Sequence, residues 1–400
     1  MVEPMTCYGH SMRLRRDSRL LENSAAILDL ITKRWRNSSI SSLPTAYGRI
    51  QNGQVEASPD AYRYPPFPNS RFTRDKPSSL SILAIPRKSK NRHTYFFPTE
   101  QYDRTLIERL AEHCRSGWGE IEVHLHHGVE KPDNADNTRR RLEEFRDALV
   151  KHKCLSQWNG TGSARYAFVH GNFALANSAK GRSCGVDDEM RILAETGCYA
   201  DLTLPSAPNV AQISKINALY ECALPLDGRA PHRRGLDLTS GRPPQVLPLI
   251  IQGPLMLDIG RRIRGWPVPR TENSAITSAH PPTSQRLRLW RQARIVVRGR
   301  PNWLFIKLHC HGMDPRDEEA MLGAPMSNFL RDVVEGAKDG RQYKPHFVTA
   351  REMVNIALAA CDGRDGNPGD YRDYRLRLIR SEPRPRVGSR LQRERSVLEA

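Results

Sequence analysis

Histidines dominate the residues able to do chemistry in this chain. There are 13 in 400 residues, and several stand in short apolar runs. His124, His126 and His127 close EIEVHLHHG, His170 closes YAFVHGN, His309 and His311 close WLFIKLHCHG, and His346 opens HFVTARE. Side chains alternate faces along a strand, so His124 and His126 share one face and His127 takes the other. By the same rule His309 and His311 share a face, with Cys310 turned away. Two neutral imidazoles at i and i+2 can reach one metal ion. The chemistry implied is that of a bound metal ion. A lone strand-end histidine is more often simply hydrogen-bonded; five or six that converge favour a site. The expected ligands are His124, His126 and His311, with zinc as the divalent metal. His309 and His170 are further candidates at strand ends, and Asp201 in CYADLTLPS is the preferred carboxylate, as ligand or general base. The run Asp187, Asp188 and Glu189 is the other carboxylate candidate, but it reads more simply as first-turn acids that complement a helix dipole. Cys198 and Cys310 read as small buried hydrophobes.

The elements that must carry these residues alternate in type. Helical spacing runs over Tyr102–Cys114, Asn137–His152, Val186–Thr196, Met326–Glu335 and Ala350–Cys361, and Gly197 stands where a helix would stop. Strand patterns run over Glu120–His127, Tyr166–His170, Tyr199–Leu204, Val246–Ile251, Trp303–His309 and Pro345–Thr349. Alternating strands and helices predict an α/β fold with a mostly parallel sheet. About 290 residues of such units suit a βα barrel, whose active site lies at the C-terminal strand ends. No internal repeat is visible.

Lys and Arg number 62 against 44 Asp and Glu, a net charge of +18. The first 80 residues carry 12 basic against 7 acidic residues, and residues 372–400 carry 9 against 4, so more than half of the excess lies near the two ends. Apart from a helical stretch at Ser18–Trp35, residues 1–85 are rich in Ser, Pro and Arg and read as a poorly structured basic segment. Residues 86–374 read as the barrel and 375–400 as a disordered basic tail. Arg261–Arg270 reads as a solvated loop, and no nucleic-acid module is recognisable. The most apolar run, Val246–Leu257, is broken by Pro248 and Pro254, so no membrane span is expected. MVEPMTCYGHSMRLRRD lacks the apolar core of an export signal. The eight cysteines form no CxxC pair. Together these predict a reducing, cytoplasmic location.

Whole phrases carry a resemblance. EIEVHLHHG, YAFVHGNFALANS, CGVDDEMRILAETGCYADLTLPSAP, LIIQGPLMLD, RGRPNWLFIKLHCHGM and HFVTAREMVNIALAA resemble bacterial polysaccharide-deacetylase-like proteins of the glycoside hydrolase/deacetylase superfamily, over about Thr94 to Tyr374. The resemblance implies a distorted (β/α)7 barrel and metal-dependent deacetylation of N- or O-acetylated sugars, with a carbohydrate or polysaccharide as partner. The family's paired metal histidines, four apart, are matched by His124 alone, since Gly128 stands at the second position; His126 and His127 are the substitutes. The catalytic Leu-His-Asp-like motif is matched by KLHCHG, giving His309 and His311. The third motif is matched by HGN, giving His170 and Asn172. The family's acidic first strand has no counterpart, because no acid stands between Ser78 and Glu100. Either that strand is missing or the start is altered, and a barrel without it would expose an edge. The expected function is a carbohydrate-active, metal-dependent hydrolase. The alternative is an inactive carbohydrate-binding barrel or pseudoenzyme.

Overall fold

The computed structural model describes residues 6–8, 92–260, 262–263, 266–311, 314–337 and 343–379. The expected helix at Ser18–Trp35, and all of the basic N-terminal segment except 6–8, lie outside these residues. So does the tail beyond 379.

The main sheet is built from β1 (Thr6–Tyr8), β2 (His93–Pro98), β3 (Gly119–Leu125), β4 (Ser156–Trp158), β5 (Thr161–His170), β6 (Cys198–Asp201), β7 (Leu219–Cys222), β8 (Gly235–Asp237) and β9 (Leu249–Ile251). Its order is β1-β2-β3-β5-β6-β9-β7-β8. The centre, β2-β3-β5-β6-β9, is parallel. β1, β7 and β8 join antiparallel. The α/β expectation with a mostly parallel sheet therefore holds. The barrel is not seen: among the described residues no ladder joins β8 back to β1.

Helices cover both faces, which explains why β3 is buried at every position. Ile121, Val123 and Leu125 point into one core, with residues of α1 (Arg104–His113), α2 (Ala135–Lys151) and α3 (Glu189–Thr196). The other face packs Phe96, Val169 and Ile251 against a later helix, Ala350–Cys361. Local signals set the helix ends. Asp103 accepts from Leu106 N–H at 3.0 Å and Asn134 from Asn137 N–H at 2.9 Å, capping α1 and α2. Gly197, at φ 102°, ends α3 as expected.

Several expectations are corrected. Trp303–Leu308 forms no ladder. Phe305, Lys307 and His309 are buried alternately as in a strand, but their backbone partners are loops: Phe305 N–H donates to Ile295 O and His309 N–H to Ser274 O. Only His309–Cys310 pairs, in parallel, with Ala275–Ile276. Pro345–Thr349 is likewise outside any ladder. α4 (Ser284–Gln292) was not foreseen, because it buries only Arg286 and Trp290, one turn apart. Within Arg261–Arg270, the expected loop, Arg262–Ile263 pairs antiparallel with Trp266–Pro267. The tail starts later than residue 375, since Leu376–Leu378 pairs antiparallel with β4. The expected bare edge is also absent: β1 lies along β2, with Cys7 opposite Tyr95. Two short helices, α5 (Glu318–Leu322) and α6 (Ala324–Glu335), precede α7 (Ala350–Cys361).

Candidate metal centre

Four side chains meet at the C-terminal ends of β3 and β5. His127 follows β3, His170 ends β5, Cys184 lies in the loop before α3, and Glu189 is the first residue of α3. One donor atom from each lies within 4.8 Å of the others, and all four residues are buried. Glu189 is central. Its Oε1 is 3.0 Å from His127 Nε2, and its Oε2 is 3.7 Å from His170 Nε2 and 3.6 Å from Cys184 Sγ. Ala176 N–H donates to Oε2 at 2.6 Å.

Both imidazoles are held by their outer nitrogens. His127 Nδ1 lies 3.2 Å from Asp133 Oδ2, and Asp133 is itself fixed by Thr138 Oγ1 at 3.0 Å and Asn137 Nδ2 at 2.8 Å. His170 Nδ1 bonds the Gly171 carbonyl. Each ring therefore turns Nε2 inward, the arrangement that orients histidines toward metals. His170 Nε2 has no hydrogen-bond partner among the described residues, which fits a donor that a cation would occupy. Two imidazoles, a thiol and a carboxylate form a donor set that zinc accepts.

Electrostatics follow from this crowding. Burial would raise the Glu189 carboxyl, but the charges of His170 and His127 hold it at about 2. Burial would lower His127, but Glu189 and the Asp133 hydrogen bond raise it well above its ordinary value. His170 is pushed down to about 4 by burial, against the pull of Glu189. Burial, with Glu189 beside it, raises the Cys184 thiol.

The loops are shaped for this meeting. A Cβ on Gly128, at φ +64°, would come within 1.9 Å of the Cys184 carbonyl. Only glycine lets the turn after HLHH approach the Cys184 loop so closely. Asp133 N–H clamps the two by donating to that carbonyl at 2.8 Å. Asn172, Phe173, Ala176, Asn177, Lys180 and Ser183 all have positive φ between 44° and 64°. Such strain persists only where the surroundings over-determine it, and it gathers at ligand clamps.

The expected residues divide into two places. His170 belongs to the cluster. His124 and His126 stand beside it, their rings 4.5 Å apart; His124 Nδ1 is 2.8 Å from Val169 O, and His126 Nδ1 pairs with Glu100. Glu100 stands just past the C-terminal end of β2. Burial would raise its carboxyl, but the His126 hydrogen bond and charge hold it at about 2. Asp201 and His309 lie elsewhere, around the buried Lys307. Its ammonium bonds the Leu202 and Leu204 carbonyls, while Asp201 accepts from Thr203 Oγ1 at 2.7 Å. Burial raises the Asp201 carboxyl and lowers the Lys307 ammonium, each pulling against the other's shift. Burial, then Lys307 and His311, lowers His309. None of Asp201, His309 and His311 is in the four-donor group.

Sequence reasoning does not single out Cys184, offers His127 only as a substitute ligand and ranks Glu189 below Asp201. Glu189 was read as a helix-dipole acid; it is buried, and its carboxylate faces inward. Asp188, beside it, pairs with Arg191 as a first-turn acid would. The available signal was the third histidine of HLHH, His127, which alternation puts on the α2/α3 side of the sheet.

No family model, curated protein or solved structure matches this chain. Among the described residues no helix is long and apolar enough to cross a membrane.

Proposed function

We propose that the protein is a divalent-metal-dependent hydrolase acting on acetylated carbohydrate, with zinc as the metal. The observation that carries this reading is the inward-facing donor set of His127, His170, Cys184 and Glu189 at two strand ends. A bound zinc ion would supply Lewis acidity toward water and an acyl carbonyl. Asp133 and the Gly171 carbonyl fix the two ligand rings. His126, its side chain 15% exposed against 0% for His127, is the imidazole an incoming substrate meets first. Glu100 pairs with its Nδ1. The acetylated-sugar substrate is supported by the sequence resemblance. A (β/α)7 closure is supported by the parallel centre of the sheet and by β1 lying near His309–Cys310. A cytoplasmic location is supported by Cys114, Cys154, Cys184, Cys198, Cys222 and Cys361 being free thiols among the described residues.

Full burial of all four donors favours a second reading. Closed four-donor zinc sites are structural, so an inactive barrel would use the ion to pin its loops. Metal analysis and acetate release from acetylated chito-oligosaccharide separate the two. Zinc at one per chain with chelator-sensitive acetate release is the expected result. Zinc without acetate release supports the structural reading, and no zinc defeats both.

A further inference from the structure

His232 lies in the Pro231–Arg233 turn between β7 and β8. It is 0% exposed, and neither ring nitrogen has a hydrogen-bond partner among the described residues. A neutral imidazole carries one donor and one acceptor, and buried polar atoms are nearly always paired. Its surroundings tie the turn to the metal centre. Ala230 N–H donates to Ala176 O at 2.8 Å, and Ala176 N–H is the group that holds Glu189. Arg233 donates to Ser178 O at 3.0 Å, and Tyr220 Oη donates to the His232 carbonyl at 2.6 Å. The backbone is thus pinned, and the ring is what remains to move. Burial keeps the imidazole neutral, the form that binds metal.

Resting on the metal reading above, we infer that His232 is a further protein ligand of the centre, so that three imidazoles rather than two bind the ion. Its nitrogens stand outside the tight four-donor group, so joining it takes a movement of the side chain. Zinc-edge X-ray absorption on the full chain loaded with one equivalent of zinc counts the imidazoles. Three are expected in the wild type and two in His232→Phe, with zinc affinity in the variant lower by about 10-fold or more in a chelator competition. Two imidazoles in the wild type, or unchanged affinity in the variant, overturns the inference. Should His232→Phe not fold, the wild-type count decides alone. A chain that binds no zinc sinks the metal reading itself, whereas zinc held by two imidazoles sinks only the role of His232.

Discussion

Asp133 touches no inward-facing donor atom, yet it sets the direction of one. Replacing it by Asn keeps the shape and removes the charge that orients His127. Zinc affinity should fall by about 10- to 100-fold, the usual effect of losing such a partner, as read by isothermal titration. A residue far from the centre gives the clearest pH dependence. Burial raises the Glu122 carboxyl to about 8, even though Tyr199 Oη at 2.5 Å and Ala167 N–H at 2.6 Å both donate to it. A carboxyl raised by folding holds its proton more tightly when folded. Its stabilising contribution is complete below the ordinary value of 4.5 and is lost as pH rises through about 8. Glu122→Gln should therefore gain on the wild type across that window, by a few kcal/mol at about 1.4 per pH unit. Denaturation curves at pH 5 and pH 9 check this, and an equal difference at both would contradict it. The histidines showed how much of the site is legible at this scale. Alternation placed His127 opposite His124 and His126 correctly. It carried no information about what faces each side of the sheet, so the pair outside the four-donor group was favoured.

Between elements, the centre depends on two loops passing at contact distance. Gly128→Ala places a Cβ against the Cys184 carbonyl in a left-handed conformation. The strain alone is about 1–3 kcal/mol, and the larger effect should be on zinc binding, because the Cys184 loop is pushed away. Equilibrium unfolding with and without zinc reads the two contributions separately. At the other end of the fold, Thr349 caps α7 through a capping box with Glu352 and also donates to Glu120 Oε2 at 2.9 Å. Thr349→Ala should cost about 1–2 kcal/mol by chemical denaturation. Helices with a clear apolar stripe were legible in the sequence to within a few residues. The ones that were not bury little: α4 shows only Arg286 and Trp290 to the core. Trp303–Leu308 misled because alternate burial, which a strand requires, also arises when an extended segment lies over loops without a ladder.

Across the whole molecule, the two faces of the sheet are closed by different chemistry. One face sets α1, α2 and α3 over β3, with an apolar core beside the four-donor group. The other includes Glu120 and the guanidinium of Arg351 from α7, joined at 2.7 and 3.0 Å, both residues under 5% exposed. Arg351 also donates to Asp373 and to the Leu376 carbonyl, so it ties α7 to the closing strand as well. Arg351→Met alone leaves Glu120 buried without its cation and should cost about 3–5 kcal/mol. Pairing it with Glu120→Leu should recover most of that loss, measured as a double-mutant cycle. Fold class was legible because strand and helix patterns alternate over some 290 residues. Closure was not, since it depends on which distant strands meet, and periodicity does not record that. These two ties also differ in when they can be made. The donors His127, His170, Cys184 and Glu189 fall within one 63-residue stretch. Arg351 and Glu120 are separated by 231 residues. A chain emerging from the ribosome has every member of the four-donor set in hand while α7 is still unsynthesised. Local contacts of this kind form before distant ones, so the metal-side half of the sheet has to hold its shape for a time with its second face uncovered.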